Sequence, residues 1–323
     1  MSLKLEADSM AGLVKQLQVC GIIKNKKVAD VMKLTDRKLY CPAPNPYVDK
    51  PERIAECSGI SAPDVHALAL EALAEFIKPD SIIMDLGAGS GYLTACFAKL
   101  IEMKAKELKV KPSGRVIGID IQDNVLRLAQ DNIRKDDANL IKKRRIIMLE
   151  GDGKYGCEEF APYDIIYVGA AVPETPVELL LQLKINGHLL TPVIADDGKQ
   201  YLMQFIKKTS GEVVKKVISP VEFDPMIITD QSMVGAEDVA SHDPNEILND
   251  DKIMNGDEDA DEVVMNDADE EDTMTGIIEG IKETKKMLAN NEEVLNIKDE
   301  LSKREQTPLS GENEKHYNLR AGA

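Results

Sequence analysis

Between residues 81 and 193, short apolar, β-branched runs alternate with amphipathic stretches, and this alternation restricts the fold more than any other feature of the chain. The apolar runs lie at 81–86, 115–119, 145–149, 163–168 and 188–193, with helical patterns at 92–108, 123–135 and 177–183. Strands separated by helices require crossover connections, so the pattern predicts βαβ units and an α/β fold built on a mostly parallel sheet. Two further β-like runs, 200–206 and 213–221, have no helix between them and predict an antiparallel terminal hairpin. Ahead of the sheet come helical patterns at 10–18 and 27–34, then Pro42, Pro44 and Pro46, which break regular structure. A helix over 62–77, stopped by Pro79, leads into the first strand.

The formal charge of −17 is unevenly distributed. Residues 231–323 hold 25 acids and 9 bases, whereas residues 1–230 hold 32 acids and 31 bases. The body is therefore almost neutral and has no electrostatic footprint for nucleic acid. The one basic run, Lys142-Lys143-Arg144-Arg145, reads as a solvated turn before a strand. The expected organisation is a domain over 1–230, with an N-terminal segment (1–80) ahead of a ligand-binding sheet (81–230). Residues 231–323 are expected to be a largely disordered acidic tail, too poor in apolar residues to offset ordering entropy. Within it, Ile281, Leu288 and Leu295 recur at seven, consistent with a thin amphipathic helix over 276–301 that either waits for a protein partner or frays in solvent.

The five cysteines are scattered, odd in number and free of Cys-x-x-Cys spacing, which argues against a disulfide framework and a zinc site. Residues 1–10 lack an apolar core and no run is long enough to span a bilayer. A cytoplasmic protein with no membrane partner and no bound metal is expected.

The strongest chemical signal is Asp85-Leu86-Gly87-Ala88-Gly89-Ser90-Gly91, a strand running through glycines directly into a helix. Such a loop lies at the carboxyl edge of an open α/β sheet, where ligands bind. Its spacing is G-x-G-x-G rather than the dinucleotide G-x-G-x-x-G, and the next strand-end acid lies 29 residues beyond Gly91, which sets aside a nicotinamide-dependent dehydrogenase. Asp85, Asp120 and the Glu150-Gly151-Asp152-Gly153 stretch put acids at three successive strand ends. Asp120 can take both hydroxyls of a ribose, and Asp152 can face an adenine amino group. Three acids would repel a pyrophosphate; they suit a cationic, phosphate-free nucleoside, and S-adenosyl-L-methionine is such a ligand. Taken singly, each acid also reads as a helix N-cap.

Ser61 likewise reads two ways. Ser61-Ala62-Pro63-Asp64 resembles a capping box with proline in the first turn, so the serine can begin a helix. A helix N-terminus also favours anions, so the same hydroxyl can face an anionic substrate.

These residues belong to longer stretches: Ala43-Pro44-Asn45-Pro46-Tyr47, Ile60-Ser61-Ala62-Pro63, His66-Ala67, Leu93-Thr94-Ala95-Cys96-Phe97-Ala98, Val116-Ile117-Gly118-Ile119-Asp120 and Gly151-Asp152-Gly153. Through them, residues 10–226 resemble the protein-L-isoaspartate (D-aspartate) O-methyltransferases. The resemblance implies a Rossmann-like class I methyltransferase fold, with a seven-stranded sheet and an N-terminal segment folded over the active site. It implies that Ser61 is the active-site serine and that Ile60 lines the pocket. It further implies that His66 lies beside the cofactor, that Gly87, Ala88, Gly89 and Ser90 hold the methionyl and ribose parts, that Asp120 binds the ribose, and that Asp152 and Gly153 bind the adenine side; Asp85, the acid that ends the strand before the loop, is a further cofactor-binding candidate. The implied activity is methylation of isoaspartyl carboxyl groups in damaged proteins, after which the ester closes to a succinimide that reopens partly to normal aspartate. An isoaspartyl carboxylate is already ionised at neutral pH, so the chemistry calls for alignment and a dry pocket rather than a general base.

The chain departs from the family in four places. Gly59 stands where a threonine is common, and Asp64 where a histidine is common. The stretch 102–111 is a longer charged link, and Thr229 is the nearest candidate for a threonine after the last strand. The acidic tail is also additional. Gly59, Asp64 and the tail support an alternative in which a weakened methyltransferase-like domain serves as an adaptor; intact Ser61, Asp120 and Asp152 oppose it.

Overall fold

The computed structural model describes residues 5–56, 58–226 and 292–296. An N-terminal segment contributes α1 (Met10–Val19), α2 (Lys26–Leu34), a hairpin of β1 (Glu52–Ala55) and β2 (Ser58–Ile60), and α3 (Pro63–Leu73). Then follow β3 (Ile82–Leu86), α4 (Tyr92–Leu108), β4 (Arg115–Asp120), α5 (Asp123–Lys142), β5 (Ile146–Glu150), β6 (Tyr163–Val168), α6 (Val177–Leu181) and β7 (Leu183–Ile194). The body closes with β8 (Gln200–Lys207) and β9 (Val213–Val221), and β10 (Glu292–Leu295) returns from the tail.

One sheet carries the order β10-β9-β8-β7-β6-β3-β4-β5. The pairs among β3 to β7 are parallel, and β7 to β10 pair antiparallel. The seven strands expected from the sequence form as β3 to β9. Because helices cover a parallel sheet on both faces, its strands are apolar on both sides. Ile83, Val116 and Ile165 pack with α1 to α5 on one face, while Met84, Ile117 and Ile166 pack with α6 on the other. Among the described residues no helix is long and apolar enough to cross a membrane.

Three differences from the sequence reading have physical causes. The helix expected to end near residue 135 continues as α5 to Lys142 across a non-helical Asp137. At the kink, Asp136 is held by Lys99 Nζ and the Tyr40 hydroxyl, both at 2.6 Å, and Asp137 accepts from the Asn139 amide at 2.9 Å to restart the helix. Second, β1 and β2 were not legible, since they are two short strands held together mainly by cross-strand pairing.

The third concerns Leu295, a heptad position of the expected helix, which is instead a strand residue. An outermost strand leaves a row of unpaired amides and carbonyls, and β10 covers that row on β9 in register from Lys216 to Val213. Val294 is exposed, Leu295 is buried in the cluster containing Phe205 and Val213, and exposed Glu293 meets Lys215 at 2.7 Å. The remainder of 276–301 lies outside the described residues. Truncating Leu295 leaves a void beside Phe205, so Leu295→Ala should cost about 2 kcal/mol in denaturant unfolding. An unchanged midpoint would mean that β10 contributes nothing to the folded state.

Candidate active site

At the carboxyl ends of β3, β4 and β5, where the parallel strands stop, a cavity of about 870 Å³ opens between the sheet and the N-terminal segment. One wall is made by the β3 and β4 ends with Gly151 and Gly153. The opposite wall is residues 49–53, the β2 strand and the start of α3, and residues 219–226 close the third side.

The glycine loop is held before any ligand arrives. The amides of Gly87 and Ala88 both donate to the Ile119 carbonyl, at 2.8 and 3.0 Å, and the Gly89 amide donates to Asp120 Oδ2 at 3.0 Å. The other Asp120 oxygen accepts from the Gln122 amide at 3.1 Å. Two N–H donors fix the carboxylate in one orientation on the cavity wall, where it can present its remaining lone pairs to a diol. Burial raises the Asp120 pKa, and these amide bonds oppose that rise.

The structure brings Ile60, Ser61, Gly87, Gly89, Asp120 and Gly153 together around the cavity. Among the other sequence candidates, Asp85, Ala88, Ser90 and His66 are buried behind the wall, and half-buried Asp152 stands between the lining residues Gly151 and Gly153. Asp85 is 1% exposed and takes a hydrogen bond from Thr94; burial pushes its pKa up to about 7. Ala88 is buried in the loop, and Ser90 accepts from the Tyr92 amide at the start of α4. Asp152 accepts from the Lys154 amide as the cap of a short 3-10 turn. His66 is buried, with its ring stacked on Tyr92 at 4.8 Å, and burial holds its pKa well below the ordinary value so that it is neutral. Of the strand-end acids, Asp120 is the one whose carboxylate is fixed by two amides on the cavity wall.

Ser61 does not cap α3. The N-cap is Ala62, which makes no side-chain cap bond, and Pro63 occupies the first turn. The Asp64 amide is instead satisfied by Asp49 Oδ1 at 2.9 Å, and the Asp64 carboxylate accepts from the Val65 amide at 2.7 Å. Ser61 is thus relieved of capping and lines the cavity. Asp64 also borders it, half-buried beside Asp49, and burial raises the pKa of both carboxyl groups. Gly59 fits a tight hairpin: a Cβ there would lie 3.2 Å from the Glu52 carbonyl oxygen.

The sequence reading missed two stretches of the wall. Residues 219–226 are clamped by Gln200, which donates to the Phe223 carbonyl at 3.0 Å and accepts from its amide at 2.7 Å. They were visible only as a family-like last strand, and Thr229 lies outside the described residues. Residues 49–53 gave no signal, because charged side chains in a turn look like any solvated loop.

No lysine or arginine lies among the described cavity residues between 86 and 170, which include Leu86, Ile119 and Ile121. A basic side chain is what a phosphate would demand there. On this sheet side, apolar walls, glycines and one carboxylate instead fit a phosphate-free nucleoside carrying positive charge, while Lys50 and Arg53 on the opposite wall are paired with Glu52 and Asp224.

Two expectations follow. Gly89 has φ +53°, and a Cβ on it would lie 3.1 Å from the Gly59 carbonyl oxygen. Gly89→Ala should therefore displace the loop from the hairpin and weaken S-adenosyl-L-homocysteine binding roughly tenfold by calorimetry. Equal affinity would show that the loop tolerates the shift. Asp85 in the folded protein keeps its proton up to about 7, whereas the unfolded chain releases it near 3.8. Its contribution is present at acid pH and is lost as pH rises through that window. Asp85→Asn should flatten the decline of Tm between about pH 4 and about pH 7, and an unaltered slope would exclude Asp85 as its source.

The family model for protein-L-isoaspartate(D-aspartate) O-methyltransferase matches residues 8–231. The Caenorhabditis elegans protein-L-isoaspartate O-methyltransferase is 33% identical over 226 residues, covering 70% of this chain and 96% of the relative. The Triticum aestivum protein of the same name is 40% identical over 216 residues, covering 66% and 89%. A solved Plasmodium falciparum structure, described as a protein-L-isoaspartate O-methyltransferase in complex with S-adenosyl-L-homocysteine, shares 30% identity and a TM-score of 0.62. It covers 68% of this chain and 99% of its own.

Proposed function

The chain belongs to the protein-L-isoaspartate(D-aspartate) O-methyltransferase family, and we propose that it methylates the carboxyl group of L-isoaspartyl and D-aspartyl residues in damaged proteins and peptides. The observation that carries this reading is a single cavity lined by both Ser61 and the Asp120-anchored glycine loop. S-adenosyl-L-methionine supplies, when bound, an electrophilic methyl group on a sulfonium.

The chain's own residues do the rest. Gly87 and Gly89 let the backbone approach the cofactor closely, and Ile60 covers it from the hairpin side. Asp120 takes the ribose hydroxyls, and Gly153 leaves room on the adenine side. Asp85, Ala88, Ser90 and His66 support this wall from behind, and Asp152 shapes the turn that carries Gly153. Ser61 donates a hydrogen bond to the substrate carboxylate and aims one oxygen. No base is required, because the carboxylate has no proton to lose at neutral pH. The neutral, stacked His66 agrees with that. Alignment in a site that excludes water is the main catalytic resource, and the ester product closes unaided to a succinimide.

The test is methyl transfer from labelled S-adenosyl-L-methionine to an isoaspartyl peptide and to its normal aspartyl twin. Transfer is expected only to the former, with kcat/KM reduced about tenfold to a hundredfold in Ser61→Ala, the loss of one positioning hydrogen bond. Cofactor binding without turnover would instead favour an adaptor whose acidic tail recruits a partner.

A further inference from the structure

Arg37 is the largest fully buried side chain among the described residues, 1% exposed, and no carboxylate lies within ion-pair distance of it there. A guanidinium in that position must find acceptors, and it finds two backbone carbonyls far away in sequence. Nη1 donates to the Ser61 carbonyl at 2.9 Å, and Nη2 donates to the Lys50 carbonyl at 3.2 Å. Nε has no partner.

Both acceptors belong to the cavity wall. Ser61 lies between the end of β2 and the N-cap Ala62, where neither ladder nor helix donates to its carbonyl. The first intrahelical bond of α3 runs from His66 to the Ala62 carbonyl, one residue later. The carbonyl of Ser61 is therefore anchored by Arg37. Lys50 is joined to the same anchor, and its neighbour Asp49 binds the Asp64 amide at 2.9 Å, three residues beyond the serine. Arg37 and Asp49 together hold the turn that leads from Ser61 into α3, through three contacts that span separate segments of chain.

We propose that Arg37 is a positioning residue for methyl transfer, fixing the Ser61 peptide plane and hence the direction of its hydroxyl toward the substrate carboxylate. This rests on the reaction proposed above. The planar fork suits the role, since two donors on one rigid group set the distance between the Ser61 and Lys50 carbonyls. Lysine offers charge without that geometry.

The test uses the full chain and an isoaspartyl peptide. Arg37→Gln should lower kcat about thirtyfold, with KM changed less than about threefold and S-adenosyl-L-homocysteine affinity within about twofold, as expected for misalignment rather than lost binding. Arg37→Lys should recover part of the rate. In a Ser61→Ala background, Arg37→Gln should cost less than about threefold, because nothing remains to be aimed. An equal cost in both backgrounds, or a parallel loss of cofactor affinity, would overturn the proposal and leave Arg37 a fold residue. Hydrogen exchange separates this from failure of the reaction itself. Amides of residues 58–66 should exchange at least about tenfold faster in Arg37→Gln, with residues 82–98 unchanged. Unchanged exchange over 58–66 would refute the brace even if no peptide were methylated. Should Arg37→Gln fail to fold, the same two readings on Arg37→Lys decide.

Discussion

Asp136 accepts from two buried donors, Lys99 and Tyr40, and Lys99 also donates to the Leu34 carbonyl at 2.7 Å. The rest of the active-site architecture depends on this node. A parallel sheet leaves its carboxyl edge open, and an enzyme that must exclude water needs something to cover it. Here the cover is the N-terminal segment, tied to α4 through Lys99 and to α5 through Asp136. Burying an ion pair is costly unless its remaining lone pairs and protons are satisfied, and the tyrosine hydroxyl and the Leu34 carbonyl meet that condition. α5 kinks at the next residue, so the helix yields while the polar node stays intact.

A second consequence of the cover is electrostatic. Enclosing the cavity removes water from Asp49, Asp64 and Asp120, and burial raises the pKa of each, as it does for Asp85 behind the loop. Burial thus opposes the build-up of negative charge in a site proposed to take a carboxylate. Arg37 adds a buried positive charge close to Asp49 and Asp64, lowering the pKa that burial raises in them. Asp64, an unfavourable neighbour for an anion on sequence grounds, is held by local amide bonds and by Asp49 rather than left bare.

The site residues that were legible in the sequence are those whose role is local. Gly87, Gly89 and Asp120 announce themselves because a strand-turn-helix places them at the sheet edge whatever else happens, and Ser61 stands in a specific short stretch. Residues whose role depends on packing were misplaced or missed. His66 faces Tyr92 rather than the cavity, Asp85 hides behind the loop, and the Ser61 cap is replaced by an acceptor 15 residues upstream of Asp64. Arg37 carries no local signal, since its partners lie 13 and 24 residues away.

What the sequence determined by itself was the periodic part: seven strands, their crossover helices, a mostly parallel sheet and the acidic composition of the chain beyond residue 230. Hydrophobic alternation has a period of two or 3.6 and depends on near neighbours alone, so it survives without a structure. Tertiary structure decided which of the polar groups face the cavity, and it turned Leu295 from a heptad position into an edge strand on β9. A polar group's direction depends on which donor or acceptor happens to be close in space, and an edge strand forms only when another edge is already there to pair with.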